Sequence, residues 1–225
     1  MLAAREAGVK MVPMTSTRVT STRPYRGIQP DDRRAERRAR LLAAGLSILG
    51  SEAGPEGVTV RGVCRQSGIS ARYFYESFSD RDDFVGAVYD WVIADLAATT
   101  QAAVTAAPLR EQARAGMANI VRSIASDARV GRLLFSAELA DSVVVRKRDE
   151  STSLLAMLLV QHLGQVLRAP VDQHTHATAH FMVGGVGQAV SAWLSGQVAM
   201  TADEVIDHLT SLLDHLADPA AYRRQ

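Results

Sequence analysis

Apolar residues recur at helical spacing along most of the chain, and no two-residue alternation persists long enough to make a strand. Ala35, Ala39, Leu42, Leu46 and Leu49 fall at i, i+4, i+7, i+11 and i+14, the inner stripe of an amphipathic helix that begins near Asp31. Gly50 and the Gly54-Pro55 pair end it. A short helix is expected over Thr59 to Gln66, with Val60, Val63 and Cys64 on one side. Ser67-Gly68 breaks it, because glycine enters the left-handed conformation at little cost. Ser70 suits an N-cap, and Phe74 and Phe78 lie four apart on the inner face of the third helix. Ser79 with Asp82 three residues on reads as a capping box for a fourth helix, aspartate replacing the usual Glu or Gln. That helix carries Phe84, Val88, Trp91, Val92, Asp95 and Leu96 at helical spacing.

The rest of the chain reads the same way. Helices are expected over Leu109 to Ser126, Val130 to Ala140 and Arg148 to Leu167, then from the Gln173 region to about Met200, and from Ala202 to Ala217. Val143-Val144-Val145 is too short and too flanked by charge to be a strand. The fold class is therefore all-α. Three divisions follow: a disordered basic arm over residues 1–30, a three-helix domain over 31–78, and a larger helical domain over 79–225.

Charge changes the picture at the front end only. The 225-residue chain carries a formal net charge of +1, yet residues 1–40 alone hold ten Lys+Arg against four Asp+Glu. A basic front on a near-neutral body points to an anionic partner met there. Cys64 is the single cysteine, which excludes an intrachain disulfide and a cysteine-rich metal site. With no apolar signal segment over Met1 to Pro30, a reducing cytoplasm is the expected setting. Residues 173–202 contain no Asp, Glu, Lys or Arg and are long enough to span a bilayer. They include His174, His176, His180, Gln188, Ser191 and Ser195, however, and lack basic flanks and aromatic girdles. No membrane association is expected; a helix buried between subunits fits better.

The segment from Val58 to Phe78 has helix-turn-helix spacing. Two short helices meet at a glycine-containing turn, and Val63, Ile69, Phe74 and Phe78 set their angle. Ala71, Arg72, Tyr73 and Tyr75 face outward on the second helix, small, cationic and aromatic types that suit a major groove of double-stranded DNA. Arg72 can bond guanine O6 and N7 bidentately, and Tyr73 can meet a thymine methyl group or a phosphate. Tyr75 and the hydroxyls of Thr59 and Ser70 suit phosphate oxygens, and Arg61 stands beside them.

At this point the chain resembles the TetR family of bacterial regulators. The stretch "TVRGVCRQSGISARYFYESFSDRDDFVGAVYD" is similar to that family's second helix through the start of its fourth. The firm likeness runs from Arg33 to Trp91. A weaker one covers "FMVGGVGQAVSAWLSG" and "TADEVIDHLTSLL" near the end. Cys64 and Arg72 depart from the pattern, which has alanine and a small residue there. The resemblance implies phosphate contacts at Arg81 and, from the first helix, Arg33. It implies a homodimer on a palindromic operator, and a repressor released by a small molecule held among the middle helices. The expected lining is Tyr89, Trp91, Phe135, Met157 and Phe181. Few charges lie in those helices, so an apolar or aromatic effector is expected.

Other constellations are weaker. His176 and His180 lie at i, i+4 beside His174, a spacing that can hold zinc, but no HExxH accompanies them and no metal is expected. Ser191 to Gly196 is not a nucleophile elbow, and the glycines at 184, 185 and 187 follow no strand, so no catalytic residue and no cofactor are assigned. Gly184, Gln188, Ser191 and Trp193 read instead as a closely packed interface between subunits. An activator of the same architecture, and a helical small-molecule- or metal-dependent enzyme with an incidental front domain, remain open on the residues alone.

Overall fold

The structure is a computed structural model and describes residues 30–51, 54–167 and 171–217; the basic arm expected over residues 1–30 lies outside them except for Pro30. The described residues form helices α1 (Pro30–Leu49), α2 (Val60–Ser67), α3 (Ala71–Tyr75), α4 (Arg81–Ala106), α5 (Gln112–Ser126), α6 (Ala128–Phe135), α7 (Ser142–Leu167), α8 (Gln173–Leu194) and α9 (Ala202–Ala217), with no strand among them. The fold is all-α. A helix-turn-helix unit of α1 to α3 stands at one end of α4; α5, α6 and α7 pack on α4, while α8 rests on α6 and α7 and α9 on α5 and α8.

Local chemistry explains the front helices. Thr59 caps α2 by accepting from the Gly62 N–H at 3.0 Å. Gly68 ends α2 with φ +68°, the conformation anticipated for it, and its N–H donates to the Cys64 carbonyl. The fourth helix starts one step later than the Ser79/Asp82 reading. Asp80 is the N-cap and accepts from the Asp83 N–H at 2.8 Å. Asp83 in turn accepts from the Ser79 N–H at 2.8 Å. The cap is therefore built on Asp80, with Asp83 accepting from the residue before the cap, in place of the Ser79/Asp82 pair.

Three later boundaries also move. The helix expected to reach Ala140 stops at Phe135, and residues 136–141 form a turn. The helix expected from Arg148 begins at Ser142 and absorbs the three valines. Asp141 holds that start, its Oδ1 accepting from the Val143 and Val144 N–H groups at 2.9 and 3.3 Å. α8 ends at Leu194, well before Met200, where Gly196 turns to φ +76°.

One apolar core runs through the front unit and onward. Leu41, Leu49, Val63, Phe74 and Phe78 of that unit are buried in the same cluster as Phe84, Val88, Leu133 and Val144. The rings of Phe74, Phe78 and Phe84 lie 5.0–5.4 Å apart. Packing therefore does not break at residue 78. α1 and α4 approach so closely that a Cβ on Gly45 would meet Val88 at 2.5 Å and Phe84 at 2.6 Å. A second cluster joins α5, α8 and α9 through Val121, Ile124, Val190 and Ile206.

Candidate functional site

The outward side of the helix-turn-helix is built on α2 and α3. Thr59, Arg61, Ser70, Ala71, Arg72, Tyr73 and Tyr75 are all exposed, so the structure leaves these seven predicted DNA-contacting residues on the surface of the unit. Phe74, between them, is buried at 1% exposure and anchors α3. Ser70 makes no capping bond with its hydroxyl. The Arg72 side chain is 84% exposed, with its Nε 3.2 Å from Glu76 Oε1. A pair so exposed holds the side chain only weakly.

The arginines of α1 brace this surface from behind. Arg34 donates to the Glu76 carbonyl at 3.2 Å, Arg38 to Ser77 at 3.1 Å and Arg40 to Ser67 at 2.7 Å. Arg37 stacks over the Tyr73 ring at 4.4 Å and Arg38 over Phe78 at 4.5 Å. A run readable only as basic in the sequence thus ties the ends of α2 and α3 to α1. Arg33 is exposed at the start of α1.

Arg81 faces inward as well as outward. Its Nη1 is 2.8 Å from Asp82, and its Nη2 is 2.6 Å from Asp141, whose side chain is only 6% exposed. Burial pushes the Asp141 carboxyl up, but the Arg81 guanidinium and the two backbone N–H groups outweigh it and hold it below the usual range. The residue expected at a phosphate therefore also joins the start of α4 to the start of α7.

Behind this junction lies a cavity of about 1080 Å³ among α4 to α8, at the upper end of the usual range of roughly 300–1,000 Å³. Ile93, Leu96, Met117, Leu159 and Met182 supply apolar wall. Tyr89 and Phe135, two of the expected ligand-lining residues, border it. Trp91, Met157 and Phe181 do not. They are 39%, 49% and 66% exposed, on sides of α4, α7 and α8 turned away from the cavity. The correction follows from packing: each long helix has apolar residues on more than one side, so size alone cannot say which side is enclosed.

The residues expected between subunits divide similarly. Gly184, Gln188 and Ser191 border the cavity, and Ser191 donates to the Phe135 carbonyl at 2.9 Å. Trp193 packs within the cluster of α5, α8 and α9 and donates its Nε1–H to Met200 at 2.8 Å. The exposed apolar surface lies elsewhere on the same pair of helices, at Leu154, Leu158 and Phe181.

Sequence reasoning did not single out Arg148. Its guanidinium reaches the cavity wall and donates to the carbonyls of Arg132, Leu133 and Leu139, at 3.2, 2.7 and 3.3 Å, with Nε also 3.0 Å from Leu133. It thereby holds the carbonyl end of α6 and the turn after it. Burial pulls this guanidinium down from its ordinary value, and it remains charged. Burial likewise pushes the Tyr89 phenol up, against the pull of Ser151 and Arg148, so it stays neutral and able to donate. The available signal was Arg148 standing at i+4 from Val144 on the stripe that continues to Leu155 and Leu159. His174, His176 and His180 are exposed along α8, and among the described residues no group of three or more His, Cys, Asp or Glu is placed to hold a metal ion. No helix among the described residues is long and apolar enough to cross a membrane.

No protein-family model and no curated protein matches the sequence. Solved structures do match the fold. A candidate TetR-family transcriptional regulator from Syntrophomonas wolfei superposes with a TM-score of 0.67 at 15% identity, covering 81% of this chain and 95% of that one. A TetR-like transcriptional regulator from Rhodococcus sp. RHA1 gives 0.59 at 19% identity, covering 81% and 94%. The regulator FadR from Bacillus subtilis, in complex with stearoyl-CoA, gives 0.61 at 13% identity, covering 78% and 96%. The chain shares the fold of these regulators over most of its length.

Proposed function

We propose that this protein is a DNA-binding transcriptional regulator of the TetR family, a homodimer released from a palindromic operator by a small molecule with a large apolar part. The observation that carries the reading is the double role of α4. Phe84 and Val88 sit in the core of the helix-turn-helix unit, while Tyr89, Ile93 and Leu96 on the same helix wall the cavity. A molecule that spreads the cavity moves the helix on which the DNA-contacting unit is mounted. Release requires the molecule to favour the arrangement that cannot bind DNA. That the fold's other representatives include a regulator crystallised with stearoyl-CoA supports an apolar ligand for this cavity.

Two copies are needed because operator half-sites are read in successive major grooves, about 34–36 Å apart. The exposed Leu154, Leu158 and Phe181, beside Gly184 and Gly185 where a Cβ would meet nothing, offer a self-complementary face on α7 and α8. Residues 31–78 serve as the reading unit and 79–217 as the sensing and pairing unit. The reading is tested by selecting genomic fragments on the purified full-length chain. Retention of fragments sharing an inverted repeat, and their release by extracts fractionated for apolar small molecules, is expected. Retention without sequence preference would overturn it.

A further inference from the structure

The cavity is apolar through most of its wall, yet its α6 end carries an excess of positive charge. Arg148 is held there by carbonyl oxygens alone, through four hydrogen bonds that leave one Nη1 hydrogen uncommitted. No carboxylate of the described residues pairs with it. Arg132, half-buried on the same wall, has no hydrogen bond or ion pair from its side chain to any described residue. Glu138 is the one acidic side chain among the lining residues, and it is exposed and bonded to neither arginine. Among the described lining residues, two guanidinium groups and one solvated carboxylate leave a net positive charge where desolvation strengthens attraction for an anion.

Arg132 is also where two spaces meet. Arg132 and Glu138 both line the large cavity and a second one of about 310 Å³ bordered by Leu49, Ser51, Gly54, Ser136 and Leu139. That smaller space reaches the end of α1. A polar group at Arg132 therefore stands between the apolar chamber and the DNA-contacting unit. A wholly apolar molecule would leave Arg132 and the last Nη1 hydrogen of Arg148 facing hydrocarbon, which disfavours it.

We infer that the cavity takes an anionic amphiphile, a hydrocarbon chain along Ile93, Leu96, Met117 and Met182 with its acidic head against Arg132 and the uncommitted edge of Arg148. This rests on the ligand-responsive reading above and narrows its effector from apolar to acidic and apolar. The head is a simple carboxylate or a larger phosphorylated thioester. The charge balance disfavours neutral and cationic amphiphiles of the same length.

Titration calorimetry of the full-length chain with dodecanoate, dodecanoyl-coenzyme A, dodecanol and dodecylamine, each below its aggregation limit, tests this. At least one of the two anions is expected to bind about tenfold or more tightly than the alcohol and the amine. Tight binding of dodecanoate assigns a free acid; binding of the thioester alone assigns the larger head. Equal or tighter binding of the alcohol or the amine, or no binding of any of the four, overturns the inference. Because Arg148 also clamps α6, the discriminating variant is Arg132→Gln, expected to lose the preference for the anion while Arg132→Lys keeps most of it. Anion affinity equal in wild type and Arg132→Gln overturns the assignment of the head. Operator retention is measured on the same preparation. A chain that holds an operator and ignores the anions loses this inference alone, and one that binds an anion but selects no DNA loses the regulator reading alone.

Discussion

Single side chains decide what the outer surface reads and how the inner junction holds. Arg72 combines 84% side-chain exposure with a weak partner in Glu76, so it can exchange that partner for a base edge with little loss. Arg72→Ala should therefore relax base preference at one position of the selected operator and cost about 1–3 kcal/mol there. A titration showing the same affinity and preference would remove Arg72 from base reading. Asp141 is the counterpart within. Its carboxyl is held below the usual range in the folded chain, so its contribution is complete above the unfolded value near pH 4 and is lost as pH falls through the lowered one. Asp141→Asn should lower stability by about 1–3 kcal/mol at neutral pH. It should also narrow the gap between melting temperatures at neutral and strongly acid pH. An unchanged gap would show that the Arg81 pair carries no stability.

At the scale of elements, helix ends and crossings matter more than helix interiors. α1 meets α4 at Gly45 with no room for a methyl group, since Val88 and Phe84 lie within 2.6 Å of its place. Gly45→Ala should cost about 1–3 kcal/mol through overpacking, despite alanine's better helix propensity. Because the crossing fixes the reading unit on α4, operator affinity should fall with it. A higher melting temperature in this variant would mean that the crossing is looser than described. The same scale explains the shifted boundaries. Sequence patterns mark where a helix is possible, whereas Asp80 with Asp83, Asp141 and Gly196 mark where backbone groups find partners or the chain reverses.

For the whole molecule, the proposed coupling rests on one core and one proposed pairing face. The apolar cluster that begins at Leu41 and reaches Val144 makes the reading unit and the head of α7 a single packed body. Arg81 to Asp141 and Arg148 to the end of α6 cross-link the same region. The proposed pairing through α7 and α8 would then set the separation of the two reading units. Phe181, 66% exposed, is the largest apolar side chain on that face. Phe181→Asp should leave the fold intact, shift the chain from dimer to monomer in light scattering, and weaken operator binding at least tenfold. A variant that remains dimeric would place the pairing face elsewhere.

The helix-turn-helix was legible in the residues because everything that defines it is local. Thr59, Gly68, Phe74 and Phe78 act within one or two turns of their neighbours, and spacing reports such relations directly. The exposed face of α3 followed from the same periodicity. The long helices behaved differently. α4, α7 and α8 carry apolar residues on several sides, so Tyr89 and Phe135 at the cavity and Trp91, Met157 and Phe181 on the surface look alike in the sequence. Which side is enclosed depends on where other helices arrive. The same holds for charge: Arg81 was legible only as a phosphate contact and Arg148 only as a basic residue until Asp141, 60 positions from Arg81, and the carbonyls of α6 were brought to them. Local spacing settled that this chain folds a helix-turn-helix with the far side of α3 turned outward. Tertiary packing settled which walls enclose its cavity and put two arginines at one end, since long-range contacts alone determine what a buried charge faces.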